Sequence, residues 1–257
     1  MSAHESHRAG RPVWADFSTS DMEATKRFYT GLFGWTFDPS SPAEYGGYTN
    51  ARLKGKFIAG FMPHQPEFGG EANRWTVYLK SDDLAATAQR VSEAGGTVNL
   101  PPMPVPPYGS MALFTAPGGA DVGGWQPDTH QGFGFLAEHG APAWFETQTR
   151  SYPEAVEFYR RAFGWDTHVM SDTKEFRYTL DGAEKDSTAG IMDASGLPAE
   201  VPSHWSVYWG VDDTDKAAAR AVELGGKVIE PPKDSPYGRV ADLRDATGGM
   251  LRIISVK

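Results

Sequence analysis

The chain has 257 residues, enough for two ordinary domains that each bury a core without staples. It contains no cysteine, which excludes disulfide frameworks, thiolate nucleophiles, iron–sulfur clusters and zinc sites built on cysteine. A formal net charge of −9 repels a phosphate backbone and argues against nucleic acid as a partner. No segment approaches the ~20 apolar residues of a membrane helix, and the N-terminus lacks a signal-peptide stretch, so a soluble, cytoplasmic protein is expected.

Residues 13–18 alternate and are rich in large side chains, as a strand should be. Asp21 then reads as the N-cap of a helix in which Ala24, Phe28 and Leu32 recur at helical spacing until Gly34 ends the pattern. Two strand-like runs, 48–53 and 56–62, meet at Lys54-Gly55 in the manner of a hairpin. After a loose segment at 63–73 the order restarts: 75–80 as a strand, 84–94 as a helix closed by Gly95-Gly96, and 111–115 and 121–126 as strands.

The whole series then returns 130 positions later. VWADFSTSDMEATKRFYTGLFGW at 13–35 comes back as AWFETQTRSYPEAVEFYRRAFGW at 143–165, pairing Trp14 with Trp144, Phe28 with Phe158 and Tyr29 with Tyr159. Trp75 matches Trp205, Asp82-Asp83 matches Asp212-Asp213, and Pro107-Tyr108-Gly109 matches Pro236-Tyr237-Gly238 after a one-residue deletion. A period this long means duplicated domains rather than a solenoid. The expected organisation is a tail at 1–12, a first domain at 13–126, a linker rich in Gly and His at 127–142 and a second domain at 143–257. Each domain holds two units of strand, helix and several strands, so the fold class is α+β.

The run Phe28-Tyr29-x-x-x-Phe33-Gly34-Trp35, with Asp82-Asp83 before a helix, a Gly-Gly turn and a late Pro-Tyr-Gly, resembles the vicinal oxygen chelate superfamily of glyoxalases, extradiol dioxygenases and bleomycin-resistance proteins. The resemblance covers both halves. It implies four βαβββ units forming two cup domains, with a metal held at one first-strand and one late-strand position of each unit. Those positions align with Trp14, Ala59, Thr76 and Gly123 in the first half and with Trp144, Ala189, Ser206 and Arg252 in the second. None offers a usual metal ligand, so no metal and no other cofactor is expected. His204 and Glu146 each stand two residues from a vacant position but shifted in opposite directions, about 6.6 Å apiece along a strand, which speaks against a relocated site.

Strand alternation gives the cup lining independently. Trp14, Asp16 and Ser18 share a face, as do Trp144, Glu146 and Gln148. Thr76, Tyr78 and Lys80 share another, as do His204, Ser206 and Tyr208, opposite an apolar face of Trp205, Val207, Trp209 and Val211. Tyr108 and Tyr237 belong to rim loops or to ordinary turns. Arg252 either clamps an anion or pairs with Glu146. An aromatic wall with a few converging polar groups suits a flat organic ligand. Glu146 and Asp16 are the best catalytic candidates, because a carboxyl beside Trp has its proton affinity raised, and the alternative is that they bond the scaffold. Phe28, Tyr29, Phe33 and Trp35 read as core, the acidic pairs Asp82-Asp83 and Asp212-Asp213 as helix caps, and His4, His7, His130 and His139 as terminal or linker residues serving solubility.

The expected function is binding, with or without transformation, of an aromatic or polycyclic small molecule, as in antibiotic-binding relatives or the "hydroxylase" relatives beside antibiotic biosynthesis genes. The alternatives are a metal-dependent lyase or dioxygenase and a non-catalytic scaffold. Four units in one chain complete both cups internally, so the protein is expected as a monomer or homodimer.

Overall fold

The computed structural model describes residues 8–41, 46–66 and 71–256. Its elements are, in order, β1 Pro12–Thr19, α1 Met22–Phe33, β2 Thr36–Phe37, β3 Thr49–Leu53, β4 Lys56–Pro63, β5 Arg74–Lys80, α2 Leu84–Glu93, β6 Thr97–Val105, β7 Gly109–Thr115 and β8 Asp121–Pro127. The second half repeats the series as β9 Pro142–Thr149, α3 Tyr152–Phe163, β10 His168–Asp172, β11 Arg177–Leu180, β12 Ala189–Asp193, β13 His204–Val211, α4 Thr214–Glu223, β14 Lys227–Ser235, β15 Gly238–Arg244 and β16 Met250–Ser255. Each half forms one eight-stranded sheet, ordered β2-β3-β4-β1-β5-β8-β7-β6 and β10-β11-β12-β9-β13-β16-β15-β14. Both are α+β cup folds built from two βαβββ units.

Local chemistry sets the helix ends. Asp21, Asp83 and Asp213 accept from backbone N–H groups of the first turn at 2.9, 2.9 and 3.0 Å, which satisfies donors the helix cannot use. Ser151 makes no such bond; α3 has Pro153 in its first turn instead. Gly34 and Gly164 close α1 and α3 in the left-handed conformation.

Helix packing does not follow the sequence repeat. One compact unit joins the described residues up to Trp14 with Val77–Gly132 and Phe145–Ser206; the other joins the described parts of Ala15–Thr76, Phe133–Trp144 and Val207–Lys257. In the first unit α2 lies on α3: Arg90 Nε donates to the Ala162 carbonyl at 3.1 Å, and a Cβ on Gly96 would come within 2.5 Å of the Phe158 ring. In the second α1 lies on α4, where Gly31 admits the Leu224 side chain and Gly226 the Phe28 ring. The cores are aromatic. Tyr29 stacks on Trp35 at 5.2 Å, and Trp209 touches both Trp35 and Trp75 at 5.0 Å; Tyr159 stacks on Trp165 at 4.8 Å and accepts from Trp205 Nε1 at 2.8 Å. Each such fully buried ring contributes about 1.5–3 kcal/mol, and Phe28, Tyr29, Phe33 and Trp35 are all buried as their spacing requires.

Three features differ from the sequence reading. β6 and β14 are strands although they carry Pro101, Pro102 and Pro104, and Pro231 and Pro232; both are sheet edges, where a missing N–H costs nothing. The 1–12 tail is not loose where it is described, because Gly10 N donates to the Lys80 carbonyl and Lys80 N to that of Arg11, both at 2.8 Å. Nor is the 127–142 linker: His130 and Phe133 are buried, and Gly134 N donates to the Phe57 carbonyl at 2.7 Å. His4 and His7 lie outside the described residues.

Candidate functional site

On β9, alternation brings Glu146 and Gln148 to one side, and the register with β12 sets Gly190 opposite Glu146 and Met192 opposite Gln148. Tyr178 reaches in from β11, the next strand over. Its ring lies across Gly190, where a Cβ would stand 2.3 Å from Cε1, and its hydroxyl donates to Glu146 Oε2 at 3.0 Å. Gln148 Nε2 donates to Glu146 Oε1 at 2.7 Å. Glu146 and Gln148 are 5% and 2% exposed, so this carboxylate is buried rather than half-buried, and its hydrogen bonds replace those it would make to water. Phe176, itself partly exposed, stacks on Tyr178 at 5.5 Å.

The first half holds the same constellation. Asp16 pairs in register with Gly60 on β4, and Tyr48, which precedes β3, donates its hydroxyl to Asp16 Oδ1. A Cβ on Gly60 would collide with both side chains. Tyr48 and Tyr178, like Gly60 and Gly190, stand 130 positions apart. Strand alternation singles out none of these four, although the repeat relates them in pairs. Tyrosine over glycine recurs elsewhere: Tyr78 pairs in register with Gly123, and a Cβ there would stand 2.1 Å from its ring.

The other expected lining residues divide by exposure. Trp14 is buried, with the His130 ring edge-on at 4.3 Å; Trp125 packs on the same imidazole at 5.5 Å and donates Nε1 to the His130 carbonyl at 2.9 Å. His130 is therefore a buried packing residue, not a surface histidine serving solubility, and burial pushes its pKa down to about 4. Trp144 is half-buried on β9, two residues before Glu146. Thr76, Ser206, Tyr208 and His204 are also half-buried. His204 Nδ1 donates to the Pro202 carbonyl at 2.9 Å, since that oxygen only accepts. Arg252 pairs with Asp242 at 3.1 Å and donates to the Tyr208 hydroxyl at 2.8 Å, its guanidinium over the same ring. Tyr108 and Tyr237 are 41% and 64% exposed at their loop tips.

The donor chemistry can be tested against the metal that the fold implies. Ala59 and Ala189 face the core, fully buried, and the carboxylate side of those strands is taken by Gly60 and Gly190. The positions on the carboxylate face of those strands therefore offer no side chain at all. Gly123 lies under Tyr78, and Arg252 is positively charged and engaged with Asp242. Among the described residues no group of three His, Cys, Asp or Glu is arranged to hold a metal ion. This donor set does not fit a divalent metal, and no chemical step is derived through one.

Comparison with known proteins agrees with the geometry of the fold. The family model described as the Glyoxalase/Bleomycin resistance protein/Dioxygenase superfamily matches residues 11–123 and 142–253. CFP32 of Mycobacterium tuberculosis, which carries a provisional glyoxylase name, is 35% identical over 257 residues, covering 99% of this chain and 98% of its own. The anthracycline biosynthesis protein DnrV of Streptomyces peucetius is 35% identical over 263 residues, covering 96% and 94%. Among solved structures, the 2,3-dioxygenase LapB from Pseudomonas sp. KL28 has a TM-score of 0.68 at 13% identity, over 97% of this chain and 93% of that one. At that identity the likeness speaks for the fold alone.

Proposed function

This chain belongs to the glyoxalase/bleomycin resistance protein/dioxygenase superfamily, and from that premise we propose that it binds a flat aromatic or polycyclic small molecule of specialised metabolism at a carboxylate–tyrosine site rather than at a metal centre. The observation that carries this reading is the buried Glu146, held by Tyr178 and Gln148 on the strand that also bears the half-buried Trp144. A carboxylate kept dry and oriented by two donors is prepared to accept a ligand hydroxyl, and an indole face supplies stacking area. The anthracycline biosynthesis name of one relative supports the polycyclic class. The same carboxylate, placed against an acidic proton of such a ligand, is equipped for proton transfer, so binding and metal-free catalysis share one set of residues.

Tryptophan fluorescence tests this. Of the eight tryptophans, Trp14, Trp35, Trp125, Trp165, Trp205 and Trp209 are buried, while Trp75 and Trp144 are half-buried. Titration with hydroxyanthraquinones and tetracyclic polyketide aglycones is expected to quench the emission, and Trp144→Phe to remove most of that quenching. Unchanged emission across the whole panel would sink the reading. Activity that chelators abolish and added metal restores would favour a metal-dependent lyase or dioxygenase instead.

A further inference from the structure

Gln148 is 2% exposed, and its amide is only half used. Nε2 donates to Glu146 Oε1, while Oε1 is buried without a hydrogen-bond partner among the described residues. The amide cannot be turned to relieve this, because its oxygen would then face a carboxylate oxygen that also only accepts. An orphaned buried acceptor costs about 1–3 kcal/mol unless something donates to it, and β9 sets this one on the same side as Glu146. We infer that Gln148 Oε1 is a ligand subsite: it accepts a hydrogen bond from a neutral hydroxyl or N–H on the bound molecule, next to the carboxylate. This rests on the small-molecule reading above and narrows it to ligands that bring a donor. An ether or a methylated phenol of the same shape leaves the oxygen orphaned and is discriminated against.

The test compares a neutral hydroxyanthraquinone with its O-methyl ether by calorimetry on the full chain, at a pH where the phenol is un-ionised. One neutral hydrogen bond is worth about 0.5–1.5 kcal/mol net, so wild type is expected to prefer the hydroxy probe by roughly 3- to 10-fold. Gln148→Met keeps the length and removes the acceptor; because it also removes the Nε2 donor that holds Glu146, both probes are expected to weaken, the hydroxy probe by the larger factor, so that the preference is erased. Equal binding of the two probes to wild type overturns the inference alone and needs no variant to fold. A Gln148→Met protein that folds and keeps the preference overturns it as well. If neither probe binds wild type, the inference falls together with the reading on which it rests.

Discussion

Gly190→Ala isolates the contact that orders the carboxylate–tyrosine pair. The added Cβ would stand 2.3 Å from Tyr178 Cε1 and 2.4 Å from Cζ and Oη, whereas carbon atoms in contact prefer about 3.5–4.0 Å. The ring must therefore move by more than an ångström, and the 3.0 Å bond from its hydroxyl to Glu146 breaks. Overpacking costs about 1–3 kcal/mol and a lost hydrogen bond to a charged group about 1.5–3 kcal/mol, so a total of about 2.5–6 kcal/mol is expected. For a chain of this size that corresponds to a fall in Tm of roughly 5–24 °C. Thermal denaturation followed by circular dichroism reads it. In a Tyr178→Ala background the obstructing ring is gone, and Gly190→Ala is expected to cost less than about 1 kcal/mol, which is the coupling a double-mutant cycle measures. An equal Tm drop in both backgrounds, or none in either, would refute the reasoning.

Other outcomes follow from the same contacts. Burial lowers the His130 pKa from 6.5 to about 4, so the unfolded chain takes up this proton first, and the stability present at neutral pH is lost as pH falls from about 6.5 to about 4. The full difference is about 3 kcal/mol; urea unfolding should show His130→Phe losing less stability than wild type across that window, and parallel pH profiles would contradict it. Asp213→Ala, which removes the cap of α4, is expected to cost about 1 kcal/mol, whereas Ser151→Ala, whose side chain caps nothing, should be nearly neutral. Denaturation midpoints at constant slope separate the two.

Composition and the 130-residue repeat made the architecture legible, because periodicity and turn chemistry are local properties. Asp21, Asp83 and Asp213 cap their helices as their position before apolar runs predicts. What stayed hidden depends on pairing between distant segments. The edge strands β6 and β14 were missed because proline opposes a strand unless one side of it is unpaired, and edge position is a property of the sheet. Ala59 lies on the core face while its neighbour Gly60 pairs with Asp16, and a one-residue step is all that separates the two faces of a strand. His130 sits in a segment of linker composition, and its burial comes from Trp14, more than a hundred residues away. Asp16 and Glu146 were recognisable from alternation alone, while Tyr48 and Tyr178 needed the second strand to arrive.

Duplication supplied two carboxylate–tyrosine pairs whose neighbours differ. Two positions beyond Asp16 stands Ser18, whose hydroxyl meets His64 Nδ1 at 3.2 Å; two positions beyond Glu146 stands Gln148, long enough to reach the carboxylate and still hold an acceptor in reserve. Two positions before Asp16, Trp14 is covered by the His130 imidazole, while Trp144 is only half-buried. In the first half, then, the indole and the short hydroxyl are engaged by the His130 and His64 side chains. In the second, the larger amide of Gln148 reaches the Glu146 carboxylate through Nε2 and leaves Oε1 without a hydrogen-bond partner among the described residues. Among the described residues the acceptor without a partner in this pair of sites is the Gln148 amide oxygen, and Ser18 offers no counterpart to it.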